Sequence, residues 1–164
     1  ATGPFSVGGA YTQRKNNLAA VAPANFQDQK NWTVGGAFRT AAFSVAVGYA
    51  DDKQDTGLAS PASQLRVKDA WVGGSFNLSP AAALTAGYYE TKASAANADG
   101  NRKLVIVGGT YALSKRTNFY ADIDNAKFSG SAIGATFSPQ SPLFGSPTGQ
   151  DRQTGVSVGI NHLF

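Results

Sequence analysis

Thr154-Gly155-Val156-Ser157-Val158-Gly159-Ile160-Asn161-His162-Leu163-Phe164 alternates without a break. Val156, Val158, Ile160, His162 and Phe164 fall on one face, and Gly155, Ser157, Gly159, Asn161 and Leu163 on the other. A period of two marks a β-strand with one apolar face. Ends of soluble chains are usually loose and polar, whereas here the pattern runs through to an aromatic. Gly155-Val156-Ser157-Val158-Gly159 also fits the Gly-x-Ser-x-Gly nucleophile elbow. That motif needs a strand-to-helix turn, and an acid and a histidine further along the chain. No helix follows here, and the single histidine, His162, falls on the face opposite Ser157. A hydrolase is therefore not expected, nor any other enzyme.

The same alternation recurs upstream. Phe5–Thr12, Asn31–Arg39, Phe43–Tyr49, Ala70–Leu78, Leu84–Glu90, Leu104–Leu113 and Asn118–Asp124 all read as strands, giving eight with the last one. Val-Gly-Gly appears at 7–9, 34–36, 72–74 and 107–109. In its last three occurrences it begins a unit of strand, short turn, strand and long loop. The short turns fall at Thr40-Ala41, Ser79-Pro80 and Ser114-Lys115. Long polar loops are expected at about 13–30, 51–64, 93–101 and 125–153. Short turns at one end and long loops at the other distinguish a transmembrane β-barrel from a soluble sandwich. Phe38, Phe43, Phe76, Tyr111, Phe119 and Phe164 lie toward the short turns, and Tyr11, Tyr49, Tyr88 and Tyr89 toward the loops. These are the two aromatic belts of membrane interfaces; the competing reading is aromatic packing in the core of a soluble β protein.

Composition is consistent with this reading. The chain has 164 residues, no Cys, one His and a net charge of +4. It is long enough for one domain, 1–164, with neither disulfides nor a Cys- or His-based metal site expected. No cofactor is expected. Mean hydropathy is −0.20, but such an average is blind to strands that are apolar on one face only. The basic residues are scattered and match no nucleic-acid-binding motif, so nucleic acid is not an expected partner.

Two stretches carry a family resemblance. The ending Gly159-Ile-Asn-His-Leu-Phe164 resembles the closing strand of general outer-membrane porins of the β-proteobacterial and neisserial type. Tyr111-Ala-Leu-Ser-Lys-Arg-Thr-Asn-Phe-Tyr-Ala121 is similar to a late hairpin of the same proteins. The resemblance covers all eight strands and matches the second half of those porins. It implies an all-β antiparallel barrel in the Gram-negative outer membrane, of which this chain forms half of a 16-stranded homotrimeric porin. It also implies that Phe164 is read as an assembly signal by the barrel-assembly machinery. The inward-folded loop that constricts such pores has no counterpart here, so no constriction residue is carried over. A complete eight-stranded, non-conducting barrel for anchoring, adhesion or envelope integrity is the alternative. A barrel that small fills its interior with side chains, whereas the inward positions here include Gly8, Gly35, Gly48, Gly73, Gly87, Gly108 and Gly159, which suit the smooth wall of a wide one.

The function implied is passive diffusion of small hydrophilic solutes and ions. Alternation places Arg14, Arg39, Arg102 and Arg116 inward against Asp69, Asp122 and Asp124, a near balance that leans to anions. Each of these is otherwise a solvated wall charge with no part in selectivity. On the outward parity, Arg66, Lys68, Lys92 and Lys103 gather at the loop ends of three neighbouring strands. At mid-membrane each would cost about 2–4 kcal/mol, and near the interface almost nothing. There they would face the phosphates of lipopolysaccharide, with Glu90 beside them to share a divalent cation. The alternative is a set of rim charges solvated above the membrane.

Overall fold

A computed structural model describes residues 3–15, 28–55, 64–95, 98–130 and 151–163. They form one antiparallel sheet of eight strands in sequential order. The strands are β1 (Phe5–Lys15), β2 (Asp28–Arg39), β3 (Phe43–Asp55), β4 (Gln64–Asn77), β5 (Ala82–Ala95), β6 (Ala98–Ala112), β7 (Thr117–Ser129) and β8 (Arg152–His162). Among the described residues β1 pairs only with β2, and β8 only with β7, so the sheet is open at both edges.

The three short turns share one device. Thr40, Ser79 and Ser114 each accept, through Oγ, a hydrogen bond from the backbone N–H three residues on, at Phe43 (3.0 Å), Ala82 (3.0 Å) and Thr117 (3.1 Å). Short hydroxyl side chains do this because they reach their own backbone. With each turn closed in this way, the register of its hairpin is fixed.

Register then puts the apolar residues on a single face. The row Phe38–Val45 continues to Gly74, Ala86 and Val107, and the row Val47–Val72 to Tyr88 and Val105. These side chains stay open to the surroundings: Val7 is 86% exposed and Val158 76%. So large an uncovered apolar face is incompatible with water and suits lipid. Ring contacts mark its two borders. Phe5 lies 4.7 Å from Phe38, and Phe38 5.6 Å from Phe43, at the turn end. Trp32 lies 5.2 Å from Tyr49 at the other end. Between Phe43 and Tyr49 the strand advances about 20 Å, at about 3.3 Å per residue.

Three sequence expectations are corrected. The strands run on into all four stretches read as loops: pairing continues to Lys15↔Asp28, to Gln54↔Leu65 and beyond, and to Lys127↔Arg152. Within 93–101, β5 and β6 stay paired up to Ala95 opposite Ala98. Above the apolar band the contrast reverses rather than vanishes: Arg66 and Lys68 take the first face, while Leu65, Val67, Ala93 and Phe128 pack on the second, so the outward-apolar pattern stops while backbone pairing goes on. Tyr89 does not belong to the loop-end belt, because it shares its face with Gly73 and Gly87 rather than with Tyr88. Finally, that second face is not a bare glycine wall. A Cβ on Gly48 would collide with the Trp71 ring, one on Gly87 would press on Tyr89, and one on Gly159 would meet Tyr120. Aromatic side chains lean into the room the glycines leave.

Two glycines answer to backbone instead. Gly130 has φ +110°, a conformation that side-chain-bearing residues rarely adopt, and lies against the Asp99 carbonyl. A Cβ on Gly74 would sit 2.7 Å from the Ser44 carbonyl oxygen, whereas one on Gly8 would meet nothing within 4 Å. Gly74→Ala should therefore destabilise the folded form by about 1–3 kcal/mol, and Gly8→Ala should stay within about 0.5 kcal/mol of the parent. The temperature at which the compact, fast-migrating band converts to the unfolded band on a denaturing gel measures both. Equal losses at the two positions would contradict the close approach of β3 and β4.

Candidate functional site

The second face is lined mainly by small and polar side chains, with aromatic and aliphatic residues set among them. Successive rows cross the sheet. Near the turns run Arg39, Ser44, Ser75, Thr85, Gly108, Asp122 and Ser157. Next come Ala46, Gly73, Gly87, Ile106, Asp124 and Gly155, and then Gly48, Trp71, Tyr89 and Leu104. Asp69, Thr91 and Arg102 follow toward the loop end.

Six of the seven inward charges expected from alternation lie on this face: Arg14, Arg39, Arg102, Asp69, Asp122 and Asp124. Arg116 does not. It belongs to the turn between β6 and β7, where its carbonyl accepts the Leu163 N–H at 2.8 Å. Alternation cannot be extrapolated through a turn, which is why the sequence misplaced it. Asp52 was missed because it lay in a stretch read as loop. It shares the face and accepts a hydrogen bond from Gln29 Nε2 at 3.0 Å. Asp69 is likewise held, accepting from Thr91 Oγ1 at 2.5 Å. On the described strands, three cations thus stand among four carboxylates. Ser157 sits opposite Asp122 on this face, while His162 pairs with Thr117 through Nδ1 at 2.9 Å on the other. No catalytic triad is assembled among them. Phe164 lies outside the described residues.

The four outward cations all fall on the apolar face, above its upper border. Lys68 stands directly opposite Lys92, and Glu90 opposite Lys103. Two of the four are already engaged. Arg66 grips Asp51 through Nε–Oδ1 at 2.9 Å and Nη2–Oδ2 at 2.5 Å. Asp51 is only 5% exposed, so this fork holds a nearly buried carboxylate. Glu90 takes Lys92 Nζ at 3.2 Å and Asn101 Nδ2 at 3.2 Å. Lys68 and Lys103 are in no ion pair among the described residues. The sequence reading missed further cations in the same rows. Lys30, Lys53 and Arg66 follow one another across β2, β3 and β4, and Lys103, Lys127 and Arg152 across β6, β7 and β8.

The profile described as Gram-negative porin matches residues 1–131. The chain belongs to the Gram-negative porin family. The protein is an outer-membrane porin of transmembrane β-barrel type, which makes the apolar face the lipid side and the small-residue face the lumen side. Solved structures agree on the fold. The anion-selective porin from Comamonas acidovorans superposes with a TM-score of 0.75 at 20% identity, covering 99% of this chain and 46% of that one. OmpT, an outer membrane protein of Vibrio cholerae, superposes with a TM-score of 0.66 at 16% identity, covering 99% of this chain and 52% of that one. Its loop L8 deletion mutant gives 0.66 at 15% identity, over 97% and 49%. The porin chain thus spans about half the length of these structures. No curated protein sequence matches it significantly. Membership of the family points to a channel rather than an enzyme.

The Asp51–Arg66 fork is testable in isolation. Arg66→Gln strands a nearly buried carboxylate, so it should lower stability by about 1–3 kcal/mol. Asp51→Asn in the same molecule should recover part of that loss. The thermal conversion temperatures of both singles and the double report the coupling; strict additivity would show that the pair contributes nothing.

Proposed function

We propose that the porin is a passive diffusion channel for small hydrophilic solutes and ions. Its eight strands would supply half the wall of a barrel of about 16 strands, assembled as a homotrimer. The observation that carries this reading is the contrast between faces on a sheet open at both edges. One face suits lipid, the other carries small and polar residues, and neither β1 nor β8 has an outer partner among the described residues. In a bilayer those edge groups need partners, and further strands would provide them. A complete eight-stranded barrel would need β8 to pair with β1, and that pairing is not formed. The homotrimer rests on the resemblance of the Tyr111–Ala121 hairpin and the last strand to trimeric porins.

A slight anion preference belongs to the proposal. The described wall does little for it, with three cations among four carboxylates. Its support is the net charge of +4, Arg14 near the loop end and Arg116 at the turns, and the anion selectivity named for one protein of the same fold. The full-length protein in planar bilayers should open in discrete steps, close in three equal levels, and give a small reversal potential of anion sign in a salt gradient. Silence from correctly folded protein would refute the channel. A reversal potential of cation sign would refute the preference alone.

Lipopolysaccharide is the proposed ligand of the outward cations Arg66, Lys68, Lys92 and Lys103, with Glu90 among them. Like charges held opposite one another repel, and phosphate between Lys68 and Lys92 would relieve that. Lys68 and Lys103 are the informative pair, since Arg66 and Lys92 also hold carboxylates. A Lys68→Gln, Lys103→Gln variant purified gently should retain less lipopolysaccharide and melt earlier as an oligomer. Unchanged retention and melting would leave these as solvated rim charges.

A further inference from the structure

We infer that the lumen face carries a binding subsite for a cyclic polyhydroxylated solute of hexose to disaccharide size. The inference rests on the proposed reading of that face as water-lined. It starts from a departure in the pattern: among small and polar residues, Trp71 and Tyr89 stand opposite each other in register on β4 and β5. They keep 38% and 41% of their surface exposed. An aromatic ring left open on a wet wall costs hydration, and neither ring is needed to seal a core there.

The two rings do not stack on each other. Trp71 leans sideways over Gly48 on β3, and Tyr89 leans along its own strand over Gly87. Beneath them lies a cavity of about 340 Å³, within the roughly 300–1,000 Å³ of small-molecule sites. Gly73 lies on its floor, with Gly87 beside it under the edge of the Tyr89 ring. Its turn-side wall is polar, made by Ser44, Ser75, Thr85 and Arg39.

Those groups have hydrogen-bonding capacity to spare. The Ser44 and Ser75 hydroxyls lie 2.8 Å apart, so one donates to the other. That leaves one O–H of the pair free to donate outward, with unused lone pairs on both oxygens. The Thr85 hydroxyl and the Arg39 guanidinium have no side-chain partner among the described residues. The arrangement is thus two aromatic rings on the loop side, a floor of small residues, and a row of hydroxyls with one fixed cation on the turn side. A pyranose matches it in kind. Its axial C–H groups form an apolar patch attracted to the negative face of an aromatic ring, while its rim of hydroxyls both donates and accepts. An inorganic anion would use the polar row and gain nothing from the rings, whose faces carry negative charge density.

The chain's two tryptophans make the test direct. Trp32 lies on the lipid side beside Tyr49, so Trp32→Phe leaves Trp71 as the only tryptophan of these 164 residues, and a Trp71→Phe control separates its emission from that of any tryptophan elsewhere in the full-length protein. The folded full-length protein in detergent, checked by its heat-modifiable migration, is titrated with maltose while tryptophan emission is followed. A saturable change is expected, and sorbitol, which keeps the hydroxyls but lacks the ring face, should give none. Tyr89→Ala should weaken half-saturation about tenfold, Tyr89→Phe should retain it, and Ser75→Ala should weaken it about threefold. No saturable response to maltose, an equal response to sorbitol, or unchanged affinity in folded Tyr89→Ala would overturn the subsite. The measurement does not depend on conduction. A protein that conducts without binding overturns only the subsite, and one that binds without conducting overturns only the diffusion reading.

Discussion

Every feature of this porin depends on one constraint: a backbone that crosses lipid must find a partner for each N–H and C=O in another strand. The in-register ladder from β1 through β8 meets that demand, and meets it beyond the apolar band, up to Lys15↔Asp28 and Lys127↔Arg152. Once pairing is obligatory, side chains are free to differ completely between the two faces. One face then follows lipid and the other follows water, residue by residue. The same constraint makes the open edges of β1 and β8 the least self-sufficient part of the chain.

The recurring Val-Gly-Gly shows how pairing and faces are reconciled. Val7-Gly8-Gly9 on β1 runs antiparallel over Val34-Gly35-Gly36 on β2, so each valine faces a glycine on the lipid side. The alternating large and small residues leave the lipid face continuous without crowding. On the lumen side the glycines have a second role, because the room they leave is taken by a neighbouring side chain. Trp71 lies over Gly48, Tyr120 over Gly159, and the Asp124 carboxylate over Gly155. A sheet made only of large residues could not place an indole flat against its own wall.

The strands were legible in the sequence wherever one face met lipid. Val156, Val158 and Ile160 against Ser157 and Gly159 admit a single assignment of faces, and the structure has it. The strand ends were not legible, because the signal read was an apolar outward face, and past the membrane border charged residues such as Arg66 and Lys68 take that face while Val67 and Phe128 turn to the other. Asp51 and Asp52 illustrate the loss. Both looked like loop residues, yet Asp51 is the nearly buried partner of Arg66 on one face and Asp52 the partner of Gln29 on the other. Arg116 failed for the converse reason, since parity was carried into a turn that has none. The alternation that sets Asp69, Gly73 and Gly87 inward also carries Trp71 and Tyr89 there, but what each ring covers required the register.

Charge is sorted by height as well as by face. On the lipid side the ionised groups begin only past the Trp32–Tyr49 border, where Asp51 is neutralised by Arg66 and Glu90 by Lys92. On the lumen side Arg39 stands at the turn end of β2, and Asp122 and Asp124 stand near the middle of β7, where Ala121 and Ile123 hold the opposite face. Asp124 neighbours Ile123 in sequence, and one residue step carries the chain from lipid to lumen. A charge facing lipid at mid-membrane costs about 2–4 kcal/mol for Lys or Arg and less for Asp or Glu. The two carboxylates of β7 are therefore best accommodated where water reaches the face that bears them, an argument for a wet lumen that does not draw on family or fold.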